Sequence, residues 1–420
     1  MVITLVVDMF GSTNNGTTVT CMRTARILQE HGNEVRIIAH IPSQHDDISM
    51  FKVLNCKMFR FPIFQPLIEK NGMTFATADC QAVAEFIKGS DVVHIFTPFV
   101  LEIKVRRIAN LLGIPVTSAF HVQPENVSYN LNMGKVKWVN SFVFRLFNSM
   151  MYKYTQHVHT PSMMMKEQME IHHYQNIIHP ISNGVSSKFK PMKEDKPADL
   201  KDKYVILMIG RFSREKRQDL IFKAIGNSKY NSQIQLILCG QGPMNKKYHK
   251  LSKKYLKNPC RFEFVPQDEL LKIINYTDLY IHASDAESEA IACIESFSCG
   301  KVPIISDSPV SATNHFALDD KCLFKAGDYQ SLQHRMEFFI ENPAYKEMLA
   351  PKYVEYSKNF EINGCVSKLE QMFKDAIADD QKLKAQQEVF HTSLHERRML
   401  RKMARKIGIK HPTIYKKSVI

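Results

Sequence analysis

The chain has 420 residues, 44% of them apolar and 23% charged, with a formal net charge of +14. That length exceeds one ordinary core and suits two domains of about 150 to 200 residues each, while the composition is that of a soluble globular protein with no run of about 18 apolar residues able to span a bilayer. Nine scattered cysteines without a CxxC pair argue against a disulfide framework and fit a reducing compartment, so the expected location is the cytoplasm.

The opening MVITLVVDMFGSTNNG lacks a basic leader and a small-residue cleavage site. Its short apolar run ends in a polar Gly/Asn loop, as a buried first strand does. Periodicity then predicts a strand at 3–7, a helix at 18–31 and a strand at 35–39. Further along come a strand at 92–96, a helix at 100–112, a strand at 115–119 and a long helical segment at 135–154. The turn-rich SNGVSSKFKP at 182–191 and the polar stretch 193–203 mark a linker. The pattern restarts with strands at 204–209, 234–238, 261–265 and 279–282, helices at 218–226 and 289–299, and a strand at 302–305. Strands alternating with helices imply parallel sheets covered on both faces, with ligands at the carboxyl ends of the strands. The expected fold class is α/β, with two Rossmann-like, doubly wound domains facing a cleft. The expected boundaries are 1–182 for an acceptor domain, 183–355 for a nucleotide-sugar domain, 356–380 for a helix packing back on the first domain, and 381–420 for a basic amphipathic tail.

The strongest local signal is DAESEAIACIE at 285–295. Glu287 falls just before a helix and Glu295 inside it, beside backbone N–H groups and a positive dipole end that suit a diphosphate. A capping acid plus an exposed helix acid explains two glutamates equally well. GRFSREK at 210–216 adds Arg211 and Lys216 in a strand-to-helix loop at the same sheet edge. Two cations there suit a departing diphosphate, whose charge grows as a glycosidic bond breaks.

Together, GRFSREK, the Glu-x7-Glu pair, the NGVSSKFKP linker and the CGQGP turn at 239–243 resemble the retaining GT-B glycosyltransferases of family 4. The resemblance implies that Glu287 contacts the donor sugar, Glu295 the ribose, and Arg211 with Lys216 the phosphates. It implies a donor-phosphate and acceptor role for Gly16 in STNNGTT at 12–18, and a hydrogen bond from His121, in AFHVQPEN, to the sugar beside the reacting carbon. The family commonly carries an aromatic residue and a glycine where this chain has Glu289 and Ala290. The chain also resembles a bacterial branch assigned to glycolipid synthesis, in particular transfer of glucose to diacylglycerol. The implied reaction moves a hexose, probed first as glucose from UDP-glucose, with retention of configuration. No Asp-x-Asp motif and no His/Cys ligand spacing argues for a metal, and no cofactor beyond the nucleotide sugar is implied.

The segment KVKWVNSFVFRLFNSMMYKY, from Lys135 to Tyr154, would bury Val136, Val139, Val143, Leu146 and Met150 on one face, with Trp138, Phe142, Met151 and Tyr152 elsewhere. Its aromatics interleave with Lys135, Lys137, Arg145 and Lys153, which suits an interfacial helix at an anionic leaflet; a long core helix accounts for it equally. From residue 396 onward the tail carries nine Lys or Arg against one acid, with Leu400, Met403, Ala404 and Ile407 on one stripe. Such a block points to an anionic partner. With no aromatic stacking platform or known module, nucleic acid ranks last. Three expectations follow: a peripheral membrane enzyme making a glycolipid; a soluble enzyme acting on a polysaccharide intermediate, a protein or a small molecule; or a noncatalytic GT-B-like binding protein.

Overall fold

The computed structural model describes all residues except 12–15, 43–47, 61–64, 66–73, 126–127, 129–135, 415–416 and 420. Four residues of the 12–18 loop, together with Lys135 and Lys416, therefore lie outside the described residues. The chain forms two compact units, one of Met1–Asn183 with Cys365–Ile420, the other of Gly184–Gly364.

The first unit begins with β1 (Val2–Met9), α1 (Gly16–Glu30), β2 (Glu34–His40), β3 (Lys52–Asn55), β4 (Lys57–Phe59), β5 (Phe75–Thr77) and α2 (Cys80–Ile87). It continues with β6 (Val92–Ile95), α3 (Val100–Leu111), β7 (Val116–Ala119), α4 (Lys137–Met150), β8 (His157–Thr160), α5 (Met163–Ile171) and β9 (Ile177–Pro180). Seven strands lie in the order β3-β2-β1-β6-β7-β8-β9, while β4 and β5 form a separate antiparallel pair. Ile3, Leu5, Val6, Val92, Val93 and Ile95 are all buried, because central strands of a parallel sheet are covered on both faces and need apolar side chains at odd and even positions alike.

The second unit holds β10 (Tyr204–Ile209), α6 (Gln218–Asn227), β11 (Ile234–Cys239), α7 (Asn245–Tyr255), β12 (Arg261–Glu263), α8 (Gln267–Tyr276) and β13 (Leu279–His282). After these come α9 (Ile291–Ser298), β14 (Pro303–Ser306), β15 (Leu323–Phe324), α10 (Tyr329–Glu341) and α11 (Pro343–Ser357). Its sheet runs β12-β11-β10-β13-β14-β15, every pair parallel. The expected α/β class, with two Rossmann-like parallel sheets, is thus present. The polar stretch 193–203 is no free linker: it buries Leu200, and Lys196 pairs with Asp278 at 2.5 Å. Two apparent surface charges are absorbed by this unit's own edge.

The chain returns to the first unit within α12 (Ile362–Ala385), followed by β16 (Glu388–Val389), α13 (Leu394–Lys406) and β17 (Lys417–Ser418). Glu370 of α12 accepts from His31 at 2.8 Å and also from Asn33. Glu396 of α13 binds Arg106 at 2.7 Å and Arg107 at 2.9 Å.

Two helices depart from expectation. In α4 the buried residues are Val139, Phe144 and Phe147, followed by Met151 and Tyr152, whereas Leu146 and Met150 are exposed. Aromatic packing sets this rotation: Phe144 stacks on Phe120 at 5.7 Å, and Phe147 meets both Phe120 and Phe99 edge-on. Trp138 (71% exposed), Phe142 (57%), Leu146 and Met150, spaced four residues apart, are left as an apolar stripe facing outward. In α13 the apolar stripe Leu400, Ala404 and Ile407 is buried, while Arg398, Arg401, Lys402, Arg405 and Lys406 are exposed. This stripe is spent inside its own unit, and the face turned to solvent carries the helix's charge, with Leu394 exposed at its start.

Candidate active site

Strands β10, β11 and β13 are neighbours, so the loops leaving their carboxyl ends crowd together. The first is GRFSREK and the second CGQGP. They are laced by hydrogen bonds from the Gly210 N–H to the Cys239 carbonyl at 2.9 Å and from the Phe212 N–H to the Gln241 carbonyl at 2.8 Å. A β-carbon on Gly240 would overlap the Gly210 carbonyl oxygen, and one on Gly242 the Phe212 backbone. The glycines of this turn let two backbones touch.

The third loop follows β13 and is tied to the first at two points. The Asp285 N–H donates to the Glu215 carbonyl at 2.7 Å, and the Arg217 guanidinium reaches the Asp285 carboxylate at 2.9 Å. Glu287 then runs beside the segment after β14, with its N–H on the Val310 carbonyl at 3.3 Å and its carbonyl accepting from Ala312 at 2.9 Å. Clamped on both backbone sides, the nearly buried Glu287 side chain turns toward the first loop.

One oxygen of that side chain gathers three donors. Oε1 accepts from the Lys216 ammonium, from His282 Nε2 at 2.8 Å and from Ser284 Oγ at 2.8 Å. Behind it, His282 Nδ1 lies 2.9 Å from the hydroxyl of the buried Tyr280. Burial opposes ionisation of Glu287, but the Lys216 charge and the His282 hydrogen bond overcome it and hold the carboxyl well below the usual carboxylate range. The group is an anion at neutral pH.

Lys216 and Glu287 are therefore in direct contact. Arg211 shares the loop with Lys216, but its side chain is exposed and makes no ion pair among the described residues. Glu295 is buried within α9. That helix begins at Ile291, two residues later than the expected 289, because Ala290 takes a left-handed conformation with φ 69°. Glu295 thus lies about one turn inside the helix.

Gly16 and His121 belong to the first unit. Gly16 is the exposed first residue of α1, with open space where a β-carbon would project. His121 follows β7, its ring stacked on Phe96 at 5.6 Å and edge-on to His159 at 5.2 Å. Its Nε2 is buried without a hydrogen-bond partner among the described residues. Burial, helped by His159, pushes the ring well below the ordinary histidine range, so it is neutral at pH 7.

Tyr280, His282 and Ser284 form no motif of their own, because they sit in or just after an apolar strand. Their spacing of two was the available signal, since alternate strand residues share one face. Among the described residues no group of three or more His, Cys, Asp or Glu side chains converges as a metal site.

Two family models match in succession: Glycosyltransferase Family 4 over residues 14–189 and Glycosyl transferases group 1 over residues 190–360. A curated relative, the phosphatidylinositol N-acetylglucosaminyltransferase GPI3 subunit of Saccharomyces cerevisiae, is 29% identical over 131 residues, which cover 30% of this chain and 29% of that protein. The chain thus spans less than a third of the length of the yeast relative it matches. The catalytic domain of cholesterol-alpha-glucosyltransferase from Helicobacter pylori is 41% identical over 37% of this chain and 98% of that one, with a TM-score of 0.36. Anabaena Alr3699/HepE, solved in complex with UDP-glucose, is 14% identical and covers 89% of this chain and 99% of its own, with a TM-score of 0.68. Two glycosyl transferase family models thus match in tandem over residues 14–360, on a chain of two parallel-sheet units.

Proposed function

We propose that the chain transfers a hexose, glucose from UDP-glucose, to a membrane lipid such as diacylglycerol, with retention of configuration and without a metal ion. The observation that carries the reading is the ionised Glu287 paired with Lys216 where three sheet-edge loops meet. A fixed anion suits the oxocarbenium character of a hexose losing its diphosphate, and a fixed cation suits the departing oxygens. Glu287 takes the donor sugar, Lys216 and Arg211 the diphosphate, and Glu295 the ribose. Gly16 lets a phosphate or acceptor approach the backbone, and the neutral His121 hydrogen-bonds the sugar. The acceptor hydroxyl attacks the face vacated by the diphosphate, whose oxygen takes the proton. Positioning and charge stabilisation perform this chemistry without a strong protein base.

The lipid acceptor is supported by the apolar stripe on α4, with Trp138 and Phe142 exposed beside Arg145. Aromatic side chains mixed with cations suit the boundary of an anionic leaflet, to which the outward arginines of α13 add charge. The yeast relative is, by its name, a transferase acting on phosphatidylinositol. On this reading the protein sits peripherally on a cytoplasmic membrane face; no described helix is long and apolar enough to cross one.

The test incubates the intact chain with radiolabelled UDP-glucose and vesicles containing diacylglycerol and an anionic lipid. Labelled glycolipid and released UDP are expected, and Glu287→Ala should abolish both. Normal transfer by Glu287→Ala would overturn the site assignment. Transfer to soluble acceptors by a chain that does not float with the vesicles would favour the soluble enzyme, and donor binding without UDP release a noncatalytic protein.

A further inference from the structure

A carboxylate offers about four lone-pair positions across its two oxygens. In Glu287, Oε1 alone meets Lys216, His282 and Ser284, and Oε2 makes no hydrogen bond among the described residues. The load is uneven, and two of the three donors come from β13 and its extension. Successive strand residues alternate between faces, so Tyr280, His282 and Ser284 point the same way and reach one target.

The bond at Glu287 has one direction. A carboxylate oxygen only accepts, so His282 Nε2 carries the proton of the 2.8 Å contact. Where that is the ring's one proton, Nδ1 accepts from the Tyr280 hydroxyl across 2.9 Å. Tyr280 keeps that proton, because burial pushes its phenol well above the ordinary range. At Tyr280 the groups acting besides Glu287 are Cys293, Glu295 and the Ile209 backbone, and Glu287 in turn raises the Cys293 thiol. Cys293 is a neutral buried thiol, and Glu295 opposes ionisation of the phenol, so both leave the direction unchanged.

We propose that His282, oriented by Tyr280, is a positioning residue that anchors Oε1 of Glu287 and thereby presents Oε2 to the donor sugar. The inference rests on the assignment of Glu287 to the sugar. Lys216 alone cannot fix the carboxylate plane, because an ammonium on a flexible four-carbon stem follows the oxygen wherever it rotates. The ring is held by the strand beneath it and by Tyr280, and sets the angle.

Four full-length variants test this: His282→Leu, His282→Gln, Tyr280→Phe and Glu287→Ala. Each is assayed for kcat and KM with UDP-glucose, and for the affinity of UDP, which lacks the sugar. His282→Leu should lower kcat/KM for UDP-glucose about tenfold or more, the scale of one lost hydrogen bond to a charged group, with UDP affinity nearly unchanged. His282→Gln, whose amide N–H falls near the place of Nε2, should recover most of the loss. Tyr280→Phe, which keeps the buried ring, should show the same pattern more weakly; it also keeps the proposal testable if His282→Leu fails to fold. Normal kcat/KM in His282→Leu, equal losses for UDP and UDP-glucose, or a glutamine variant no better than the leucine one would each overturn the proposal. A fully active Glu287→Ala would instead overturn the underlying site reading.

Discussion

Lys216 and Glu287 stand 71 positions apart and form an ion pair on the same carboxylate oxygen that accepts from His282 and Ser284. The depressed pKa of Glu287 means that its contribution to stability is present above the unfolded value of 4.5 and is lost as pH falls through the lower folded value. Lys216→Met removes one of three donors. At pH 7 it should destabilise the protein by about 1.5 to 3 kcal/mol, the range for hydrogen bonds to charged groups, and the difference from wild type should shrink in acid. Urea titrations at neutral and acid pH measure this; equal stability of the two proteins at pH 7 would refute it.

Ala290 holds φ 69° and ψ 64° at the start of α9, where the resembled family commonly has glycine. An L-residue is sterically disfavoured there, and glycine relieves the strain at some expense in unfolded-chain entropy. Ala290→Gly should therefore raise stability by about 0.5 to 1 kcal/mol with transfer activity preserved. A lowered Tm would show that the methyl group contributes packing that outweighs its strain.

Arg106 is fully buried; its Nη2 meets Glu396 at 2.7 Å, while its Nε and Nη1 have no partner among the described residues. Replacing Glu396 by alanine strips the compensation from a buried cation. Breaking such a pair costs about 3 to 5 kcal/mol, here at the junction of α13 with α3. Chemical denaturation should show that loss, and limited proteolysis should cut the variant's tail well before wild type. A tail that remains protected would mean that Leu400, Ala404 and Ile407 suffice to hold it.

Asp8 and Glu102, both buried, share the hydroxyl of Thr97, which lies 3.3 Å from the first and 2.8 Å from the second. One hydroxyl proton cannot serve both acids, so one of them is protonated and donates back. Burial pushes Asp8 up to about 7 and Glu102 well above its ordinary value. A raised folded pKa gives stability that is present below the unfolded value of 3.8 and gone once pH rises through about 7. Asp8→Asn should therefore stabilise the protein relative to wild type more at pH 8 than at pH 5. A gain of the same size at both values would rule out the shared proton.

Much of the fold was legible because β1, β10 and β11 are nearly continuous apolar runs that only a doubly covered sheet can bury. Strand β8, His-Val-His-Thr, was not, since its histidines read as polar. They are buried by pairing, His157 with His179 at 3.0 Å and His159 with the Ile181 carbonyl at 2.6 Å. The facing of α4 is not written in its own period, because Phe120, which sets it, lies well outside the helix. At the site, Lys216 and Glu287 were legible as motif positions. His282 was hidden, because its meaning comes from a carboxylate five residues on that turns back. The tail's charge was plain, whereas its anchor depended on Arg106, 290 residues earlier.

The first unit is assembled from both ends of the chain, and the second from one uninterrupted stretch. On a translating ribosome, residues 184–364 have all emerged while His31 still lacks Glu370 and Arg106 still lacks Glu396. The half of the protein made first is thus the last to be finished, and until residues 365–420 arrive the nascent chain carries an arginine side chain built for an interior that does not yet exist.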